Sequence, residues 1–446
     1  MRDRNKGSNG RRIGGGKHAM SDMKQGRREV LGAAAAVGSL ALAPRFARAA
    51  ATPGEAVPRA GIDAVLRRAV DTKEVPGVVA MAASDKGVFY EAAFGTRDLA
   101  RGPAMSMDTT FRIASMTKLV TSVAAMQLVE QGKLTLNDPV PPIDTALSAP
   151  QVLDGFDANG APKLRPAKGP ITLRHLLTHT AGFSYEQWDA DTARYVKASG
   201  MPSTSTGKIA SLRMPLVFDP GARWEYGVNI DWVGLIVQSV SGQTLDAYVA
   251  EHITKPLGMK DTLFALTPEQ RARQASFHQR MPDGSLQPQP LETPFTPEFW
   301  AGGGGLYSTA GDYLTLLRAM LGNGALDGTR ILRPETVALM NTNQIGEIEA
   351  GILKSTAPAR STDVDFFPGV SLKWGLGYMI NMQPGPNGRS PGSLTWAGLF
   401  NTHYWIDPAR RLAAVIMTQV LPFGDVPTMR LYGQYERSIY DAMKSV

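Results

Sequence analysis

Apolar positions recur every three to four residues between 58 and 72, at Ile62, Val65, Leu66, Ala69 and Val70. That spacing predicts an amphipathic helix, which Pro76-Gly77 closes. The pattern then shortens to strands: apolar runs at 78–82 and 88–90 flank Asp85-Lys86-Gly87 and read as a β-hairpin. A second helix is expected over 115–131, stopped by Gly132. From 133 to 299, proline, glycine and polar loops separate helical pieces at 172–178, 229–241 and 244–254, with no convincing strand. Strands return after 300. One is expected at 374–380, and 394–405 with 412–419 reads as a hairpin across Asp407-Pro408. A closing helix is expected over 428–444.

Strands at both ends therefore bracket a helical middle. The fold class expected is α/β of the α+β type, with one antiparallel sheet built from both chain ends and flanked by helices. An all-helical region is inserted between the two parts. The expected boundaries are a leader at 1–49, a sheet domain from 50–132 and 300–446, and a helical domain at 133–299.

Charge alters the picture only at one end. The 446 residues carry a net charge of +7, but residues 1–49 hold eleven Lys and Arg against three Asp and Glu, a net of +8. The rest nets −1, so the body gives no charge argument for nucleic acid. Arg27-Arg28, the apolar run at 30–43 and Ala47-Arg48-Ala49 read as an export signal of the twin-arginine kind. The run of about 14 residues is too short for a helix to cross a bilayer about 30 Å thick. A periplasmic protein with no membrane span after cleavage is expected. There is no cysteine, which excludes disulfides, thiolate metal sites and cysteine nucleophiles.

The candidate chemistry centres on Ser115-Met116-Thr117-Lys118. A serine at a helix start meets free backbone N–H groups and a positive dipole end, both of which favour a developing anion. Lys118, three residues on, shares its face. If buried, its pKa falls, and a neutral amine then accepts the serine proton. Taken alone, the same four residues more readily describe a capped helix with a solvated lysine.

Further segments shift that balance. In chain order they are FRIASMTK, ITLRHLLTHTAG, FDPGARWEYG, KPLGMKDT, AGGGGLYSTAGDY and WAGLFNTHYWIDP. Together they resemble the serine β-lactamase and penicillin-binding superfamily, and most closely the class C β-lactamases and family VIII carboxylesterases. The resemblance implies Ser115 as acylated nucleophile, Lys118 as its partner and Tyr226 as the residue that shuttles protons and activates water. It implies an oxyanion hole from the backbone N–H groups of Ser115 and Leu399. Trp396, Ala397, Gly398 and Val228 are implied to line the substrate, with no metal and no cofactor.

Two departures matter. Val228 stands where the lactamases have asparagine, with Asn229 one place late, and Trp396 stands where they have lysine. Both changes match the esterases, and an aromatic at 396 points to an uncharged, apolar substrate. A carboxylesterase for short-chain small-molecule esters is therefore expected. β-Lactam, D-amino-acid peptide or amide-oligomer hydrolysis, acyl transfer to another alcohol, and binding of peptidoglycan fragments without turnover stay open as alternatives.

Other features are set aside. His175 and His179 have a zinc-like i, i+4 spacing but no glutamate beside His175 and no third ligand, so a role in bonding loop backbone is favoured. Gly302–Gly305 lacks the Lys-Ser/Thr pair of a phosphate loop. No G-x-S-x-G elbow occurs. His403 and Trp224 read as packing residues.

Overall fold

The computed structural model describes residues 58–291 and 296–444; the expected leader at 1–49 lies outside the described residues. Helix α1 (Arg59–Asp71) leads into strands β1 (Gly77–Ser84) and β2 (Gly87–Gly95). The helix that carries Lys118 is α2 (Thr117–Glu130), and α3 (Asn229–Ser241) begins just after Tyr226. After α4 (Ala310–Leu321) come β3 (Leu372–Trp374), β4 (Met379–Asn381), β5 (Ser393–Gly398), β6 (Thr402–Asp407) and β7 (Leu412–Met417). Helix α5 (Val426–Lys444) closes the chain's described part.

Seven strands form one sheet in the order β3-β4-β5-β6-β7-β1-β2. Every neighbour is antiparallel, so the chain's early hairpin completes a sheet begun by its late strands. Both faces are buried, and the two-residue period of a strand sorts them. Ala80, Ala82, Trp405, Ala414 and Ile416 face one way and pack with Ile62 and Leu66 of α1 and Leu431, Tyr435 and Ile439 of α5. Val79, Met81, Tyr404, Val415 and Met417 face the other way and join a larger core. That larger core also holds Leu119 and Val123 of α2 and Trp232 and Ile236 of α3, so the helical segments and the sheet pack as one body. Among the described residues no helix is long and apolar enough to cross a membrane.

Three expectations need correction. The single strand at 374–380 is two strands joined at Gly375-Leu376-Gly377, where Gly375 N–H donates to the Tyr378 carbonyl. The apolar run continues through the turn and hides it. Likewise 394–405 is two strands, β5 and β6, turning at Asn401, whose φ of 57° is left-handed and whose N–H donates to the Gly398 carbonyl at 2.9 Å. The hairpin is thus a three-strand meander. Finally, 133–299 is not all-helical. Strands Gln151–Phe156 and Pro162–Pro166 pair there, and His278–Arg280 pairs with Leu286–Pro288. These strands are short and partly exposed, and they carry no sustained apolar alternation to read.

Candidate active site

Ser115 sits in a single 3₁₀ turn, Ala114–Met116, that feeds α2. Just before it, Phe111–Arg112 pairs with Tyr307–Ser308, and Ile113 N–H donates to the Leu306 carbonyl. Ala114 is held at φ 43°, a left-handed conformation that costs a non-glycine residue about 1–2 kcal/mol. The Thr117 hydroxyl holds the turn by donating to the Ala114 carbonyl at 2.6 Å while accepting from Leu306 N–H at 3.1 Å. The turn thereby fixes the serine at the mouth of α2.

Lys118 is 1% exposed. Its Nζ lies 3.3 Å from Ser115 Oγ, 3.3 Å from Tyr185 Oη and 2.7 Å from the Gly303 carbonyl. Burial brings its pKa from 10.5 down to about 7, against the Asp231 carboxylate, which holds it up. A lysine in that range is an amine for much of the neutral pH region and serves as a general base.

Tyr226 brings its hydroxyl into a hydrogen bond with Ser115 and accepts the Trp396 indole N–H at 3.1 Å. Lys118 Nζ stands 4.6 Å from the centre of its ring. Burial raises the Tyr226 pKa, while the bonds to Ser115 and Trp396 oppose the rise. Loss of solvent outweighs both of those bonds. Tyr226 is therefore a neutral phenol.

Asp231 and Tyr185 complete the cluster. Asp231 Oδ1 accepts Gly303 N–H at 2.9 Å and Oδ2 accepts the Tyr185 hydroxyl at 3.3 Å. A Cβ on Gly303 would stand 2.7 Å from Asp231 Oδ2 and 3.0 Å from Tyr185 Oη, so only glycine fits between them. Sequence reasoning missed all three roles. Asp231 had a signal, since it is a lone charge in the apolar Ile230-Asp231-Trp232-Val233 run of a helix. Tyr185 had none.

One cavity reaches this cluster. Ser115, Tyr185, Asp231 and Leu399 line it, with Arg112 and Arg360 also on its wall. Leu399 follows the end of β5, which lies so close to the serine's strand that a Cβ on Gly398 would meet the Ile113 carbonyl at 2.2 Å and Thr402 Oγ1 at 2.3 Å. Trp396, Ala397 and Val228 are buried behind the cavity. Trp396 packs against Tyr226, Phe366 and Trp374 instead of walling the substrate space. Val228 precedes α3 as its cap residue.

Several residues set aside by pattern have clear positions. His175 accepts Thr172 N–H in a capping box, while His179 Nδ1 bonds the Asn229 amide at 3.0 Å and packs 4.8 Å from the Tyr226 ring. Trp224 stacks on Tyr226 from the same loop. His403 lies on the opposite sheet face, stacked 4.2 Å from Tyr432, with a pKa pushed down to about 3 by burial.

A serine beside a buried lysine and a tyrosine, next to the end of an interior strand of the antiparallel sheet, is the arrangement of the serine β-lactamase superfamily. The chain belongs to the beta-lactamase family, whose model matches residues 62–434. It is 34% identical to the monacolin J acid methylbutanoyltransferase of Aspergillus terreus over 402 residues, covering 85% of this chain and 95% of that protein. It is 31% identical to the lovastatin esterase of Penicillium rubens, covering 82% and 94%. Among solved structures, unliganded simvastatin synthase from Aspergillus terreus superposes with a TM-score of 0.75 at 32% identity, covering 88% of this chain and all of that one (100%). The protein is an enzyme of this superfamily, and its relatives include acyltransferases as well as an esterase.

Proposed function

We propose that the enzyme transfers an acyl group from an ester or thioester donor, through an ester on Ser115, to the hydroxyl of a small-molecule acceptor. Hydrolysis is the same reaction with water as acceptor. The observation that carries the acyl-enzyme step is the Lys118 amine, 3.3 Å from Ser115 Oγ with a pKa near 7. In acylation, Ser115 Oγ bonds to the donor carbonyl carbon as its proton moves to Lys118. The tetrahedral oxyanion faces the backbone N–H groups of Ser115 and Leu399. Collapse breaks the bond to the leaving oxygen or sulfur, which takes a proton through Tyr226. The acceptor hydroxyl then repeats the sequence in reverse and frees Ser115.

Transfer is preferred to the hydrolysis first expected because the relative matched over 402 residues is named as a transferase. The named esterase supports hydrolysis as the second reading. Arg112 and Arg360 on the cavity wall suit a carboxylate on the acceptor, and that transferase is named for an acid substrate. The test is a p-nitrophenyl butyrate assay with and without a panel of alcohols, read by mass spectrometry for new esters. Transfer predicts a butyryl ester of at least one alcohol, lost in Ser115→Ala. Release of butyrate alone across the panel would replace transfer with hydrolysis.

A further inference from the structure

The hydrogen bonds around Ser115 form a single line of groups, and its two end members each have only one possible role. At one end, the Trp396 indole nitrogen is a donor and nothing else; at the other, an ionised Asp231 carboxylate is an acceptor and nothing else. Between them lie Tyr226, Ser115, Lys118 and Tyr185, whose groups all both donate and accept. We propose that Asp231, acting through Tyr185 and Gly303, is a positioning residue that sets the direction of this line and so aims the Lys118 lone pair at Ser115. The proposal rests on the acyl-enzyme reading above.

Counting hydrogens gives the direction. Asp231 Oδ2 takes the one proton of Tyr185, so Tyr185 Oη has only lone pairs to offer Lys118. The Gly303 carbonyl is also an acceptor, and the same carboxylate holds its residue through Gly303 N–H. A neutral lysine has two N–H bonds, and these two acceptors consume both. Its remaining lone pair has one partner left, the Ser115 hydroxyl. From the other end, Trp396 can only donate to Tyr226, so Ser115 Oγ is the partner available to accept the Tyr226 proton. Ser115 is left to give its proton to Lys118, the direction that nucleophilic attack needs. Without the carboxylate, Tyr185 is free to give its proton to Lys118, and the lone pair is then spent on the wrong partner.

The experiment is the second-order rate at which a fluorophosphonate probe labels Ser115, measured against pH in the full chain. Labelling needs the activated serine but no acceptor, so it separates this proposal from the choice between transfer and hydrolysis. The groups facing Lys118 are Ser115, Tyr185, Tyr226 and Asp231, the buried and neutral His179, and the Gly303 carbonyl. Of these, Asp231 is the charge that holds the lysine's pKa up. Asp231→Asn is expected to label at least tenfold more slowly at its own optimum, with its acid limb moved to lower pH. A purely structural lesion would lower the labelled fraction and leave the limb in place. Tyr185→Phe keeps the charge and is expected to slow labelling by a similar factor, which decides the matter if Asp231→Asn does not fold. Rates within twofold of wild type in either folded variant would overturn the proposal. A wild type that does not label at all would instead overturn the acyl-enzyme reading beneath it.

Discussion

The Trp396 indole N–H donates to the Tyr226 hydroxyl at 3.1 Å, so the aromatic residue that replaces a motif lysine holds that hydroxyl from behind. An N–H donor stabilises developing phenolate character without placing a second cation beside Lys118. Trp396→Phe keeps an aromatic ring against Phe366 and Trp374 and removes the donor. With a hydrogen bond to a charged group worth about 1.5–3 kcal/mol, kcat should fall roughly 10- to 100-fold with little change in KM. Steady-state kinetics on a p-nitrophenyl ester checks this, and an unchanged kcat would assign Trp396 to packing alone.

Lys118 sets the pH dependence. Acylation should fall about tenfold per unit below the lysine's pKa of about 7, as the amine takes up a proton. Stability carries the same signature. The folded pKa lies below the unfolded value of 10.5, so between about 7 and 10.5 the unfolded chain binds the extra proton and stability from this group rises with pH. Urea titrations of wild type and Lys118→Met across that window should differ in slope, with the rise lost in the variant. Parallel slopes would mean that the lysine stays charged.

Gly398 is the point where β5 meets the serine's strand. A Cβ there would stand 2.2 Å from the Ile113 carbonyl, so Gly398→Ala must push the two strands apart. The Leu399 N–H moves with them. Loss of an oxyanion donor predicts a kcat lower by about 10²–10³, with a stability loss of about 1–3 kcal/mol from overpacking. Turnover and thermal melting measured together separate the two effects.

Arg112 and Arg360 predict which acceptors are chosen. Arg360→Ala should raise KM for a carboxylate-bearing alcohol roughly tenfold, the loss of about one charge-assisted hydrogen bond, and leave a neutral alcohol of similar size unaffected. Equal effects on both acceptors would remove recognition of the acid from the account.

Ser115, Lys118 and Tyr226 are legible in the sequence because their chemistry is written in short local motifs. The sheet is legible for a similar reason: strands such as β7 are apolar on both faces and stand out as runs. Asp231, Tyr185 and Gly303 are harder because no local pattern joins positions 118, 185, 231 and 303, which only the folded chain brings together. Trp396 shows the limit from the other side. Its motif position marks it as important, but which way an indole points on a strand buried on both faces depends on what packs there. The turns at Gly375-Leu376-Gly377 and Asn401 are hidden because apolar residues run through them, and the Gln151–Phe156 hairpin because its strands are partly exposed and its partner strand begins and ends in proline.

The central claim is a covalent acyl-enzyme on Ser115 that an alcohol can discharge. Intact-protein mass spectrometry after rapid mixing with p-nitrophenyl butyrate measures it directly. The account predicts one butyryl adduct per chain, mapped to the peptide containing Ser115, which disappears faster when an acceptor alcohol is added and never forms in Ser115→Ala. Turnover with no adduct at any mixing time, or an adduct on another residue, would contradict it.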